Sequence, residues 1–162
     1  MSVTSVDKDF DNLTLTLVAD FDAPIERVWQ LWADPRRLER WWGPPTYPAA
    51  VEEHHLNPGG AVTYVMTGPA GEKSRGWWRV TAVDPPASLD FIDGFADKDG
   101  KPIADMPTTT VQVRLSETDG GTRMVLRSTF DSREHMQRVV DMGAPEVLQQ
   151  TVGQMDALLA GG

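Results

Sequence analysis

The sequence predicts an α+β domain: a curved antiparallel sheet of about six to seven strands wrapped around a long C-terminal helix, with two short helices after the first strand. Three observations lead there. Period-two and period-3.6 apolar patterns occur in separate blocks. Twelve prolines and fourteen glycines cut the middle of the chain into strand-sized units. The last apolar stripe has the spacing of a helix lying on a sheet.

The first element is a strand. Leu13, Leu15, Leu17 and Ala19 alternate with Thr14, Thr16 and Val18, the signature of a half-buried strand. Ile25, Val28, Trp29 and Trp32 then share one helical face. Pro24 suits the first turn of that helix, Glu26 complements its dipole, and Pro35 ends it before a second short helix from Arg36 to Trp42. Strands are expected at Ala49 to Leu56, Ala61 to Thr67, Lys73 to Val83, Leu89 to Phe95, Thr108 to Leu115 and Thr122 to Phe130. Turn residues separate them: Asn57-Pro58-Gly59-Gly60, Gly68-Pro69-Ala70-Gly71, Pro85-Pro86 and the hairpin Asp119-Gly120-Gly121. Asp131 and Glu134 resemble a capping box, Gly143 stops that segment, and Pro145 starts a final helix bearing Leu148, Val152, Met155 and Leu159, ended by Gly161-Gly162. One helix covers only part of such a sheet, so the space between them is either a filled core or a cavity.

Composition bounds the function. The 162 residues suit one domain, 1–162 with its core at about 13–160, large enough for a real core. The net charge of −9, with no basic run, argues against nucleic acid and anionic lipid as partners. The absence of cysteine excludes disulfides, thiolate catalysis and Cys-based zinc sites. Met1 to Asp11 is polar and no apolar stretch reaches the ~20 residues that span a bilayer, so no membrane insertion and a cytoplasmic location are expected. No His-x-His, His-Glu-x-x-His or calcium-loop spacing occurs, and no cofactor or metal is expected.

Six tryptophans are present, four of them in the doublets Trp41-Trp42 and Trp77-Trp78. Crowded indoles build either a thick core or an aromatic-walled cavity. The candidate wall is Trp42, Tyr64, Met66, Trp78, Phe91, Phe95, Met106, Met142, Leu148, Val152 and Met155. Seven methionines favour an adaptable binding surface, whereas large apolar residues are ordinarily core, and both readings stand at this point. A ligand burying ~300 Å² of apolar surface gains only ~7.5 kcal/mol, of which association removes at least ~4, leaving roughly millimolar affinity. A polar handle must add to that, and Tyr64, the Trp78 indole N–H, His54 and Arg79 are the candidates. Glu52 and His54 share a strand face, as do Glu53 and His55, so either pair is an acid/base couple or a solvated surface pair. His135 is read as an exposed helix residue.

The order of elements resembles the START-like, or SRPBCC, helix-grip superfamily. Ala23-Pro24-Ile25-Glu26-Arg27-Val28-Trp29, Trp41-Trp42-Gly43-Pro44, Pro58-Gly59-Gly60, Pro85-Pro86 with Leu89, and Gly121-Thr122 with Met124 and Leu126 resemble, in order and spacing, the bacterial family named for the activator of heat-shock protein 90 ATPase. The chain departs from that pattern at His55 and Asn57 before the Gly-Gly turn and at Val147-Leu148 in the last helix. The resemblance implies the helix-grip fold. It gives weak warrant for activity, because the superfamily holds carriers, cyclases and co-chaperone domains. The leading expectation is therefore binding of a small hydrophobic or amphipathic molecule between sheet and helix, with no catalytic residue assigned. An enzyme of cyclase or hydrolase type using the same cavity and a co-chaperone-like activator are the alternatives. Pairing of two copies through an open sheet edge or the Trp41-Trp42 corner is left open.

Overall fold

The structure is a computed structural model and describes residues 3–160, so the stop expected at Gly161-Gly162 lies outside the described residues. The element order is β1 (Val3–Asp9), β2 (Thr14–Phe21), α1 (Ile25–Ala33), α2 (Pro35–Trp42), β3 (Ala49–His54), β4 (Ala61–Thr67), β5 (Lys73–Asp84), β6 (Ser88–Ala96), β7 (Thr109–Thr118), β8 (Gly121–Thr129), α3 (Arg133–Asp141) and α4 (Ala144–Ala160). The strands form one antiparallel sheet in the order β1-β2-β8-β7-β6-β5-β4-β3. Register shifts between Val3 and Ser5, Val51 and Glu53, and Val80 and Ala82 insert bulges, which bend a sheet and strengthen its twist.

The sheet has eight strands where six to seven were expected. The additional strand is β1, whose sequence VTSVDKD has no apolar alternation. It is held by its ladder to β2, with Val3 and Val6 packed on the core, a form of edge strand that hydropathy does not reveal. The expected first strand is therefore β2, shifted so that Leu15, Leu17, Ala19 and Phe21 face inward. Leu13 takes a φ of 58° in the turn before it.

The caps refine the helix boundaries. Pro24 stands at the N-cap of α1, and the Asp34 carboxylate caps α2 by accepting from the Arg36 N–H at 2.9 Å. Ser132 caps α3 by accepting from the His135 N–H at 3.0 Å, so the expected box at Asp131 is displaced by one residue. Gly143, at φ 87°, makes the turn between α3 and α4. The Arg27 guanidinium donates to the Leu159 carbonyl at 2.7 Å, a cation placed on the C-terminal end of α4.

The two tryptophan doublets behave differently. On α2 both rings turn inward: the Trp41 indole donates to the Leu31 carbonyl at 2.8 Å, and Trp42 meets Trp41 edge-on at 5.7 Å. On β5 strand alternation sends Trp78 into the core and Trp77 to the outer face, where its ring covers Gly94 and its N–H donates to the Phe95 carbonyl. Gln154 on α4 donates to the carbonyls of Trp41 and Gly43, fastening the long helix to the end of α2.

Candidate functional site: a cavity beneath the long helix

Two ends of the space under α4 differ. Beneath its C-terminal half the gap is packed shut. Val152 and Met155 are fully buried among Trp32, Trp41, Trp78 and Phe91. Trp78 stacks on Phe91 with centroids 3.9 Å apart, and Trp32 meets Trp41 edge-on at 4.7 Å. Beneath the N-terminal half lies a cavity of about 430 Å³, within the ordinary range of small-molecule sites. Ala144, Val147, Leu148 and Thr151 of α4 and Val139 of α3 roof it. Leu15, Val111, Leu126, Thr109, Ser128 and Phe130 form its floor, and Trp42, Pro44, Tyr47, Tyr64, Met66, Ser74 and Asp93 close one side.

That side carries the polar chemistry. Tyr64 of β4 lies opposite Gly76 of β5, and its hydroxyl donates to Asp93 Oδ1 of β6 at 2.9 Å. A Cβ at Gly76 would sit 2.3 Å from the Tyr64 oxygen and 2.4 Å from its ring carbon Cζ, so glycine is what lets the ring lie across β5 to reach Asp93. Burial pushes the Asp93 carboxyl up to about 7, against the opposing pull of the Tyr64 hydroxyl and the Gly94 N–H. Burial, then the charge of Asp93, holds the Tyr64 hydroxyl well above the usual phenol range. The indole N–H groups of Trp42 and Trp78 pull it the other way, yet neither closes a hydrogen bond, and both are buried without a partner among the described residues. At the mouth the Tyr47 hydroxyl donates to Glu72 at 2.8 Å, which raises its pKa.

Four of the eleven expected wall residues line this cavity: Trp42, Tyr64, Met66 and Leu148. Trp78, Phe91, Val152 and Met155 are fully buried in the packed end instead. Phe95, 48% exposed, and Met106 line a separate surface recess with Ile103, because β6 runs past Asp93 into the loop that carries Met106. Met142 caps the C-terminus of α3 and is 77% exposed, since the Gly143 turn stands clear of the core.

His54 does not face the cavity: its Nε2 bonds the Trp32 carbonyl at 3.0 Å. The bulge at Val51–Glu53 breaks the expected alternation, and Glu52 pairs with Arg75 rather than with His54. Arg79 is exposed on the outer face. His135 is buried, 8% exposed, with its ring edge-on to Phe130 at 5.3 Å, and burial lowers its pKa. α3 turns His135 and Met136 onto a second small core around Leu15 and Phe130.

Asp93 is the residue of the candidate site that sequence reasoning missed. Its signal was present: Leu89, Phe91 and Asp93 share one strand face, so an acid interrupts an inward apolar row. The small and polar walls, Ser74, Thr109, Ser128, Ala144 and Thr151, were missed as well, because aromatic and methionine content cannot reveal where space is left. Among the described residues, no three His, Asp or Glu side chains gather as a metal site, and no helix is long and apolar enough to cross a membrane.

An antiparallel sheet bent around a terminal helix, with a cavity between them, defines a helix-grip domain. The chain belongs to the family described as activator of Hsp90 ATPase homolog 1-like protein, whose pattern matches residues 22–160. A crystal structure of a Mycobacterium smegmatis protein is 53% identical over 97% of this chain and 96% of that one, with a TM-score of 0.88. A solution structure from Arthrobacter aurescens is 47% identical, covers 99% and 94% of the two chains and has a TM-score of 0.94. The AHSA1 protein from Silicibacter pomeroyi is 25% identical, covers 91% and 97%, and has a TM-score of 0.71. No curated protein matches the chain.

Proposed function

We propose that the protein binds a small amphipathic molecule in the cavity beneath the N-terminal half of α4. The observation that carries this reading is the cavity itself: about 430 Å³, apolar over most of its wall, with Tyr64 and Asp93 as a polar handle on one side. That pair supplies the polar contact that apolar burial alone lacks.

The neutral fluorophore N-phenyl-1-naphthylamine tests it. Binding with a blue-shifted emission is expected, and Leu148→Trp, which places an indole in the cavity, should weaken it at least tenfold while the variant keeps its cooperative unfolding. Equal binding by that variant would place the fluorophore elsewhere and contradict the reading.

Asp93 gives a second reading some footing. An enzyme needs a desolvated acid or base in the cavity, and a carboxyl pushed up to about 7 is suited to exchanging a proton near neutrality. Turnover abolished in Asp93→Asn, with ligand affinity retained, would favour it. Nothing lining the cavity favours the co-chaperone reading suggested by the family's name.

A further inference from the structure

We propose that the molecule this cavity takes is an amphipathic amine, its ammonium seated against the Asp93 carboxylate beside the rings of Trp42, Tyr47 and Tyr64 and its apolar body lying under α4. The inference rests on the cavity reading above and names the chemical class of its occupant.

Asp93 lines the cavity with no cationic partner, unlike Asp20, Glu52 and Asp90, whereas other strand carboxylates that lack one, such as Glu53, Asp84 and Glu117, are exposed to solvent. Those three are matched to arginines of other strands: Asp20 receives two hydrogen bonds from Arg123, at 2.8 and 3.0 Å, Glu52 pairs with Arg75, and Asp90, three residues before Asp93, pairs with Arg114. Among the described residues, Asp93 accepts from the Tyr64 hydroxyl and from the Gly94 N–H, and no cation reaches it. A carboxylate half-buried in a mainly apolar wall with no counter-charge either takes up a proton or draws in a cation.

Among the described residues, no lysine, arginine or histidine lines the cavity from any element. From α4 the groups facing Asp93's cavity are Ala144, Val147, Leu148 and Thr151; from β7, Thr109 and Val111; from β8, Leu126 and Ser128. The remaining titratable groups there are Tyr64 and Tyr47, the latter backed by the anionic Glu72. On β5, strand alternation puts Lys73, Arg75 and Arg79 on the face away from Ser74, Gly76 and Trp78. His135 stands behind Phe130. The site therefore offers a bound carboxylate or phosphate no cation, only neutral donors beside the Asp93 carboxylate, whereas it offers an ammonium one carboxylate, two phenol oxygens and aromatic rings. The net charge of −9 draws cations toward the molecule from a distance.

Ionisation sets the sign of the pH dependence. An alkylammonium keeps its proton through neutrality, so binding requires ionised Asp93 and strengthens as pH rises through about 7. The expected gain between pH 6 and pH 8 is about tenfold.

Three compounds on one skeleton separate the outcomes: 4-phenylbutylamine, 4-phenylbutan-1-ol and 4-phenylbutanoate, titrated calorimetrically into the whole chain. At pH 8 the amine should bind at least about tenfold more tightly than the alcohol, and the carboxylate most weakly. Asp93→Asn should erase the amine's preference over the alcohol and its pH dependence, with cooperative urea unfolding showing that the variant is folded. His135→Gln should leave the amine's pH profile in place. An alcohol bound as tightly as the amine, or a carboxylate bound most tightly, overturns this proposal and leaves the cavity reading standing. No binding of any of the three overturns both.

Discussion

The two halves of α4 sit over the same sheet and do opposite things. The C-terminal half places Val152 and Met155 in one buried cluster with Trp32, Trp41, Trp78 and Phe91, where ring meets ring at 3.9 to 6.3 Å. The N-terminal half lies over Val111, Leu126, Thr109 and Ser128 and leaves a cavity of about 430 Å³. The difference is side-chain volume along a continuous interface. Large rings plug one end and make it rigid. At the other end Ser74, Thr109, Ser128, Ala144 and Thr151 are too short to fill the space between the larger wall residues, and the backbone spacing set by the plugged end keeps them apart. The aromatic residues thus divide between the plug, with Trp32, Trp41, Trp78 and Phe91, and the cavity wall, with Trp42, Tyr47, Tyr64 and Phe130.

The comparison breaks most readily at the plugged end. Trp78→Ala removes a fully buried ring stacked on Phe91 and should cost about 3–5 kcal/mol in urea unfolding. A loss below about 1 kcal/mol would show that the two ends are packed alike.

The next effect is in pH. Folding raises the Asp93 pKa from 3.8 to about 7, so its carboxyl favours folding when protonated. That contribution is whole below about pH 4 and disappears as pH rises through 7, a swing of up to about 4 kcal/mol. Wild type should therefore lose stability relative to Asp93→Asn between pH 4 and 8, measured by denaturant midpoints. A constant difference across that range would mean that Asp93 is solvated.

A smaller effect sharpens the polar side of the cavity. Gly76→Ala drives a methyl group into the Tyr64 ring and should cost about 1–3 kcal/mol by displacing the hydroxyl from Asp93. The same change in a Tyr64→Leu background should cost clearly less, because the collision and the hydrogen bond are both gone. Equal costs in the two backgrounds would show that Gly76 does not position Tyr64.

Legibility in the sequence divides along the same line. Periodicity placed α1, α4 and β2, and Pro35 with the Gly- and Pro-rich turns bounded α2 and the strands from β3 to β8. Periodicity did not reveal β1, which is held by backbone hydrogen bonds that leave no apolar trace. In the candidate site, Trp42, Tyr64, Met66 and Leu148 were legible as large residues on inward faces. Trp78 and Phe91 obeyed the same rule into the plug, since inward orientation does not distinguish a wall from a filler. His54 was misplaced by one bulge, which reverses the facing of the residues after it. Asp93 required taking an interruption in an apolar row as a statement about the site.

The most direct test of the open and plugged ends is a methyl NMR titration with N-phenyl-1-naphthylamine. Shift changes and intermolecular contacts should fall on Val111, Leu126, Val139, Val147 and Leu148 and spare Val80, Leu89, Val152 and Met155. Changes centred on Val152 and Met155, or spread evenly over both sets, would contradict the account.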